Sequence, residues 1–188
     1  MECDDDYWEI DENSHITFNQ PPGKPSRVTA FVVHLRLTEI LVYSLRTLHS
    51  TRKCRTGQVS DEEWEQRTVA EVDSAMNQWK DSLPNHRTCI SLTIFWGSRD
   101  STVKWDPRCE DPLTFEQMAV LHSFFYQLQI QVHRPFIQKD SPLSLSSTII
   151  CTNAARSCAR ISEAQIRRNA PIFPQNSVRS RISCYIYV

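Results

Sequence analysis

The residues best placed to do chemistry in this chain are His133-Arg134-Pro135-Phe136, which close the stretch YQLQIQVHRPFI. An imidazole beside a guanidinium could act as a general base, clamp a phosphate or end a helix. His122 lies eleven residues earlier. At 1.5 Å rise per residue the two rings are roughly 16 Å apart on one helix, too far to share a metal ion. The seven cysteines, Cys3, Cys54, Cys89, Cys109, Cys151, Cys158 and Cys184, contain no CxxC pair and read as structural or free thiols. Next to HRPF the sequence shows no acid, nucleophile or glycine-rich anion loop to complete a mechanism. No nucleophile elbow, metal-ligand pair or phosphate loop is found elsewhere. The expectation is therefore a non-enzyme with no catalytic residue, metal or cofactor of its own. HRPF reads as a helix stop, since Pro135 cannot continue a helix and a cation at its C-terminus meets the negative end of the dipole, worth about 0.3–1 kcal/mol. Phe136 is then an aromatic anchor.

Four helical elements must position these residues. From Ser26 to about Ser50 there is no Gly or Pro, and Ala30, Val33, Leu37, Ile40, Leu41, Leu45 and Leu48 fall on one stripe. Phe31, Val32 and Leu35 broaden it, which predicts a central helix buried on most of its girth; His34, Arg36, Glu39 and Arg46 argue against a membrane setting. Ser60 with Glu63 reads as a capping box. Behind it Trp64, Thr68, Val72, Ala75, Met76 and Trp79 form an inner face, with Glu62, Glu65, Glu71 and Lys80 outside, until Leu83-Pro84 ends the helix. Thr114 with Gln117 is predicted to cap a third helix, along which Met118, Leu121, Phe125, Leu128 and Val132 repeat at alternating three- and four-residue steps. Beside them runs a second stripe, His122, Tyr126, Gln129 and His133. A fourth helix is expected from about Leu145 to Arg168, with an inner face drawn from Ile149, Cys151 or Thr152, Ala155, Cys158 or Ala159, and Ile161 or Ile166. Arg156, Arg160, Arg167 and Arg168 form its basic outer face.

Composition supports this reading. The chain has 188 residues, 40% hydrophobic and 23% charged, with three glycines against ten prolines, a balance that suits helices and rigid corners better than tight hairpins. Net charge is −1, seven of the first twelve residues being acidic and arginine dominating after Arg156, which is not the balance of a nucleic-acid binder. No run reaches the roughly 18 apolar residues of a membrane span, so cytosol or nucleus is expected. Residues 13–25 read as a Pro-broken loop, and the acidic stretch ECDDDYWEIDE as a solvated segment whose Tyr7 and Trp8 dock on the helices, with a disordered activation segment as the alternative. Residues 87–104 are β-branched and aromatic and break the helical pattern. The end, RSRISCYIYV, looks like a strand with nothing to pair it.

Taken in order, CDDDYWE, FNQPPGKPS, DSAMNQW followed by SLP, KWDP, LQIQVHRPFI and CTNAARSCARI resemble the fungal-specific transcription factor domain, the middle regulatory region of fungal zinc-cluster transcription factors. The resemblance covers about residues 3–86 and 103–168, and its strength is that the six stretches occur in one order. Its motif positions are Trp79, Pro84, Trp105, Asp106, Pro107, His133, Arg134, Pro135 and Phe136. The resemblance implies an all-α bundle of about four main helices, part of a larger helical regulatory domain that controls RNA polymerase II transcription in the nucleus. The implied partners are proteins of the transcription machinery or a second copy, with a small-molecule effector possible and no membrane. The family's zinc cluster, six close cysteines on two zinc ions, has no counterpart here, so DNA is reached only through a segment this chain lacks. The helical fragment is expected over 26–168 behind an acidic, Pro-rich lead-in at 1–25. An insertion at about 88–102 and the tail at 169–188 depart from the family pattern, and the tail is expected to be disordered.

Overall fold

A computed structural model describes residues 4–10, 15–19, 26–49, 60–83 and 107–170. The chain is mostly helical, as expected. Its helices are α1 (Arg27–Thr47), α2 (Asp61–Asp81), α3 (Pro112–His133) and α4 (Ser144–Arg167). Short 3-10 turns cover Asp5–Tyr7 and Arg134–Phe136, and a two-stranded antiparallel sheet pairs β1 (Trp8–Ile10) with β2 (Ile16–Phe18). The connection at 51–58, Pro84, the insertion at 88–102, Trp105, Asp106 and residues 171–188 lie outside the described residues, as do Cys3, Cys54, Cys89 and Cys184.

Local chemistry sets the helix ends. Ser26 Oγ accepts from the Val28 amide at 3.1 Å, and Ser60 Oγ accepts from the Glu63 amide at 3.2 Å, so the predicted cap of α2 is present. Three acids in the first turn of α2, Asp61, Glu62 and Glu63, and Lys80 in its last turn suit the helix dipole. For α3 the cap lies three residues earlier than predicted: Asp111 accepts from the Thr114 amide at 2.9 Å, so Thr114 supplies a donor instead of the cap. Asn169, at φ 51°, ends α4 in a left-handed turn in which the Ala170 amide reaches the Gln165 carbonyl at 3.0 Å and the Asn169 amide reaches Ile166 at 3.1 Å.

The core lies where α3 meets α1, α2 and α4. Leu121, Phe125, Leu128 and Val132 of α3 are buried against Val72, Met76 and Trp79 of α2 and Val33 and Leu37 of α1, with Phe136 closing the end. Trp79 joins three helices, because its indole N–H donates to the Val33 carbonyl of α1 at 2.8 Å while its ring stacks on Phe125, centroids 5.4 Å apart. On the opposite side of α3, small residues let α4 approach closely. Cys151, Ala154 and Cys158 are buried there, with the Cys151 thiol directed at the Ile130 carbonyl and the Cys158 thiol at that of Ser123.

Several expectations are corrected. The central helix is α3, not α1. Among the described side chains of α1 only Val33, Leu37 and Ser44 are buried, while Val28, Phe31, Leu35, Val42, Tyr43 and Leu45 are 40–60% exposed. By length and composition, Val28–Thr47 is also apolar enough to cross a membrane, contrary to the expectation that no run was. Glu65, placed outside α2 by its charge, is buried and pairs with Lys139. On α4 the inner face is Ser147, Cys151, Ala154, Cys158, Ile161 and Gln165, and Ile149 and Ile166 point outward. The stretch read as a loop contains β2. Trp8, expected to dock on the helices, meets Phe18 across the hairpin edge to face, centroids 5.7 Å apart, and is 52% exposed.

Candidate functional site

His133 is the last residue of α3 and sits where α2, α3 and α4 converge. Its Nε2 lies 3.0 Å from Asp73 Oδ1 of α2, and its Nδ1 lies 3.1 Å from Ser147 Oγ of α4. A carboxylate only accepts, so Nε2 carries a proton and donates to Asp73, while Nδ1 and the Ser147 hydroxyl share the second hydrogen bond. The structure thus brings an acid and a hydroxyl to HRPF from 60 and 14 residues away, which corrects the expectation that neither adjoins it.

Acid, imidazole and hydroxyl in line have the composition of a hydrolase relay. Their placement is the reverse of what such a relay needs. Asp73 is the solvent-facing member, its side chain 32% exposed, whereas His133 is 2% and Ser147 0% exposed. A substrate carbonyl would have to reach the innermost atom of the three, which the packing of α3 on α4 blocks. The arrangement is suited to locking three helices in register, since each buried polar atom is satisfied by another helix and removing one strands the rest.

The other motif residues divide by burial. Trp79 and Phe136 are 4% and 3% exposed and belong to the core. Arg134 and Pro135 are exposed on the 3-10 turn that ends α3, as the helix-stop reading requires, and the Ile137 amide returns to the Arg134 carbonyl at 3.3 Å. Pro107 is exposed at its ring, but its carbonyl accepts from Arg168, which also bonds the Cys109 carbonyl and covers the Phe115 ring at 4.2 Å. Arg168 is exposed, as expected of an outer-face arginine, but its guanidinium is held by these two carbonyls and the Phe115 ring.

His122 and His133 are both buried on α3 but have different surroundings. Burial, aided by the Lys80 charge, pushes the His122 imidazole down to about 4, and its Nε2 has no hydrogen-bond partner among the described residues. Cys109, Cys151 and Cys158 are buried, and burial raises the Cys151 thiol to about 11, which leaves it a poor nucleophile. Among the described residues no group of three or more His, Cys, Asp or Glu could hold a metal ion. A cleft of about 490 Å³ at the start of α3, lined by Arg108, Glu110, Phe115, Glu116 and Arg168, is open to solvent.

Asp73 and Ser147 were missed by sequence reasoning. Ser147 did carry a signal: 147, 151, 154, 158, 161 and 165 step by four and three, so a hydroxyl and an amide occupy the two ends of an otherwise apolar or small stripe. A polar residue on such a stripe calls for a buried partner. Asp73 carried no comparable signal, lying beside the apolar stripe of α2. No protein-family model, no curated protein and no solved structure matches the chain.

Proposed function

We propose that this chain is a regulatory helical region of a fungal zinc-cluster transcription factor, acting in the nucleus through protein contacts and reaching DNA only through a separate zinc-cluster segment. The observation that supports the reading is the convergence of its family-like stretches on one interior. Asp73, Met76 and Trp79 of DSAMNQW, Val132, His133 and Phe136 of LQIQVHRPFI, and Cys151, Ala154 and Cys158 of CTNAARSCARI all pack around α3. These stretches behave as one packing signature, which is what a scaffold module that presents surfaces to partners requires. The Ser147 hydroxyl, sealed at 0% exposure, weighs against a hydrolase.

The test is a fusion of residues 1–188 to a heterologous DNA-binding domain, read on a reporter in fungal cells. The expected result is a change in transcription, up or down, that Phe136→Ala abolishes. No change in either direction from a folded, nuclear fusion overturns the proposal. Sequence-selective duplex binding by the chain alone at physiological salt would overturn the assignment of DNA contact to another segment. A second reading, a protein-interaction module with no link to DNA, is favoured by the exposed apolar side of α1 and predicts partner binding with a silent reporter.

A further inference from the structure

The small sheet and the outer side of α4 carry surfaces of opposite charge. Trp8 pairs with Phe18 in the β1–β2 register and Ile16 lies two residues before Phe18, so the three side chains share one face of the hairpin. They are 52%, 47% and 56% exposed. Glu9 takes the other face, where the Asn19 side chain donates to its carboxylate at 2.7 Å. The turn that leads into β1 carries Asp5 and Asp6, both exposed and without an ionic partner among the described residues.

The outer side of α4 repeats this order of apolar and charged groups with the sign reversed. Leu145, Ile149, Thr152, Arg156 and Arg160 follow at steps of four, three, four and four, all exposed, on the side turned away from Ser147, Cys151, Ala154 and Cys158. Arg156 and Arg160 have no ionic partner among the described residues, and the next acid on this side, Glu163, is already held by Arg167 at 2.7 Å. On both surfaces the charges begin about 10 Å from the apolar group, three residues of chain from Trp8 to Asp5 and seven of helix from Ile149 to Arg156.

We infer that the Trp8–Phe18 face of one copy of this chain docks on the outer side of α4 of a second copy. Trp8, Ile16 and Phe18 cover the partner's Leu145 and the partner's Ile149, and Asp5 and Asp6 lie beside the partner's Arg156 and the partner's Arg160. Within one copy the surfaces lie apart: Asp4 accepts from Ser26, the N-cap of α1, at 2.7 Å and holds the hairpin beside α1, whereas the outer side of α4 faces away from α3. Charge rejects the like-with-like pairings. Hairpin on hairpin would gather four acids and α4 on α4 four arginines, and only hairpin on α4 brings opposite charges together. The three hairpin side chains present on the order of 300 Å². With an equal area on α4 and the contact exchanged in both directions about a two-fold axis, the total buried is roughly 1,200 Å², where stable interfaces begin. The pairing stands independently of the regulatory reading.

The test is sedimentation equilibrium on the full chain across a concentration series. Wild type should be a monomer–dimer mixture. Asp5→Lys with Asp6→Lys, or Arg156→Glu with Arg160→Glu, should weaken the dimer about tenfold or more, and the four changes together should restore it to within about threefold. All four sites are exposed, so the helical circular dichroism spectrum should not change. Trp8→Ser with Phe18→Ser should leave the chain monomeric at every concentration. A wild-type monomer at about 100 µM overturns the proposal. So does a dimer that ignores the reversals, which would place the interface on another face. Binding to phosphatidylcholine vesicles that Trp8→Ser abolishes, by a chain monomeric without them, would overturn it too and assign the hairpin to lipid.

Discussion

Helices α1 and α3 have nearly the same length, 21 and 22 residues, and both carry apolar residues at three- and four-residue steps, yet one lies on the surface and the other at the centre. The difference lies in what the remaining positions can do. On α3 His133 is paired across two helix boundaries, and Ser123 is small enough for Cys158 of α4 to approach its carbonyl. On α1 the charged residues flank a second apolar seam that no described element covers. Apolar periodicity therefore reports that a face will be covered, and not by what.

The contrast can be broken most sharply at Phe136. It is 3% exposed and closes the end of the core, so Phe136→Ala should cost about 3–5 kcal/mol, read as lost cooperativity or a large fall in the melting temperature. A mild effect would place the core elsewhere than around α3.

Acid should act next, through His122. Its imidazole titrates near 4 in the folded chain against 6.5 when exposed. Between these values the unfolded chain binds the extra proton, so the contribution is whole above pH 6.5 and is lost as pH falls towards 4, by about 3 kcal/mol at most. Urea melts of the wild type and of His122→Leu across pH 4–7 should differ in slope, the variant being flatter. Equal slopes would show that His122 takes up its proton over the same pH range folded as unfolded.

The register lock predicts a smaller loss. Asp73→Ala removes the acceptor of the buried His133 N–H and should cost about 1.5–3 kcal/mol by chemical denaturation. Ser147→Ala should add little once Asp73 is gone, because both act through one ring. Additive losses would mean the three residues are not one unit.

Smallest of all should be Leu35→Ser on α1. Trimming a side chain already 45% exposed should shift stability by no more than about 0.5 kcal/mol. A loss the size of that at Phe136 would mean that this side of α1 is part of the core.

What the sequence made legible were features encoded within one turn or two. The α3 stripe, the Ser60 cap and the Pro135 stop each depend on neighbours three or four positions away, and each is found as read. The Asp73–His133–Ser147 contact depends on which helix sides meet, and no local pattern specifies the meeting of residues 73 and 133. Glu65 was misplaced for the same reason: its charge suggested solvent, and its ion partner Lys139 is 74 residues away. Ile149 was assigned inward because it is large and apolar, whereas close approach of α4 to α3 favours Ser147, Cys151 and Ala154.

Arg168 has a consequence for how the chain tolerates change. By holding the carbonyls of Pro107 and Cys109, it fastens the exit of the α3–α4 pair to its entrance, across 61 and 59 residues of sequence. The two ends of this closed unit therefore leave from one place. Such a unit can be inserted into, tethered by linkers of different length, or circularly permuted without moving its helices.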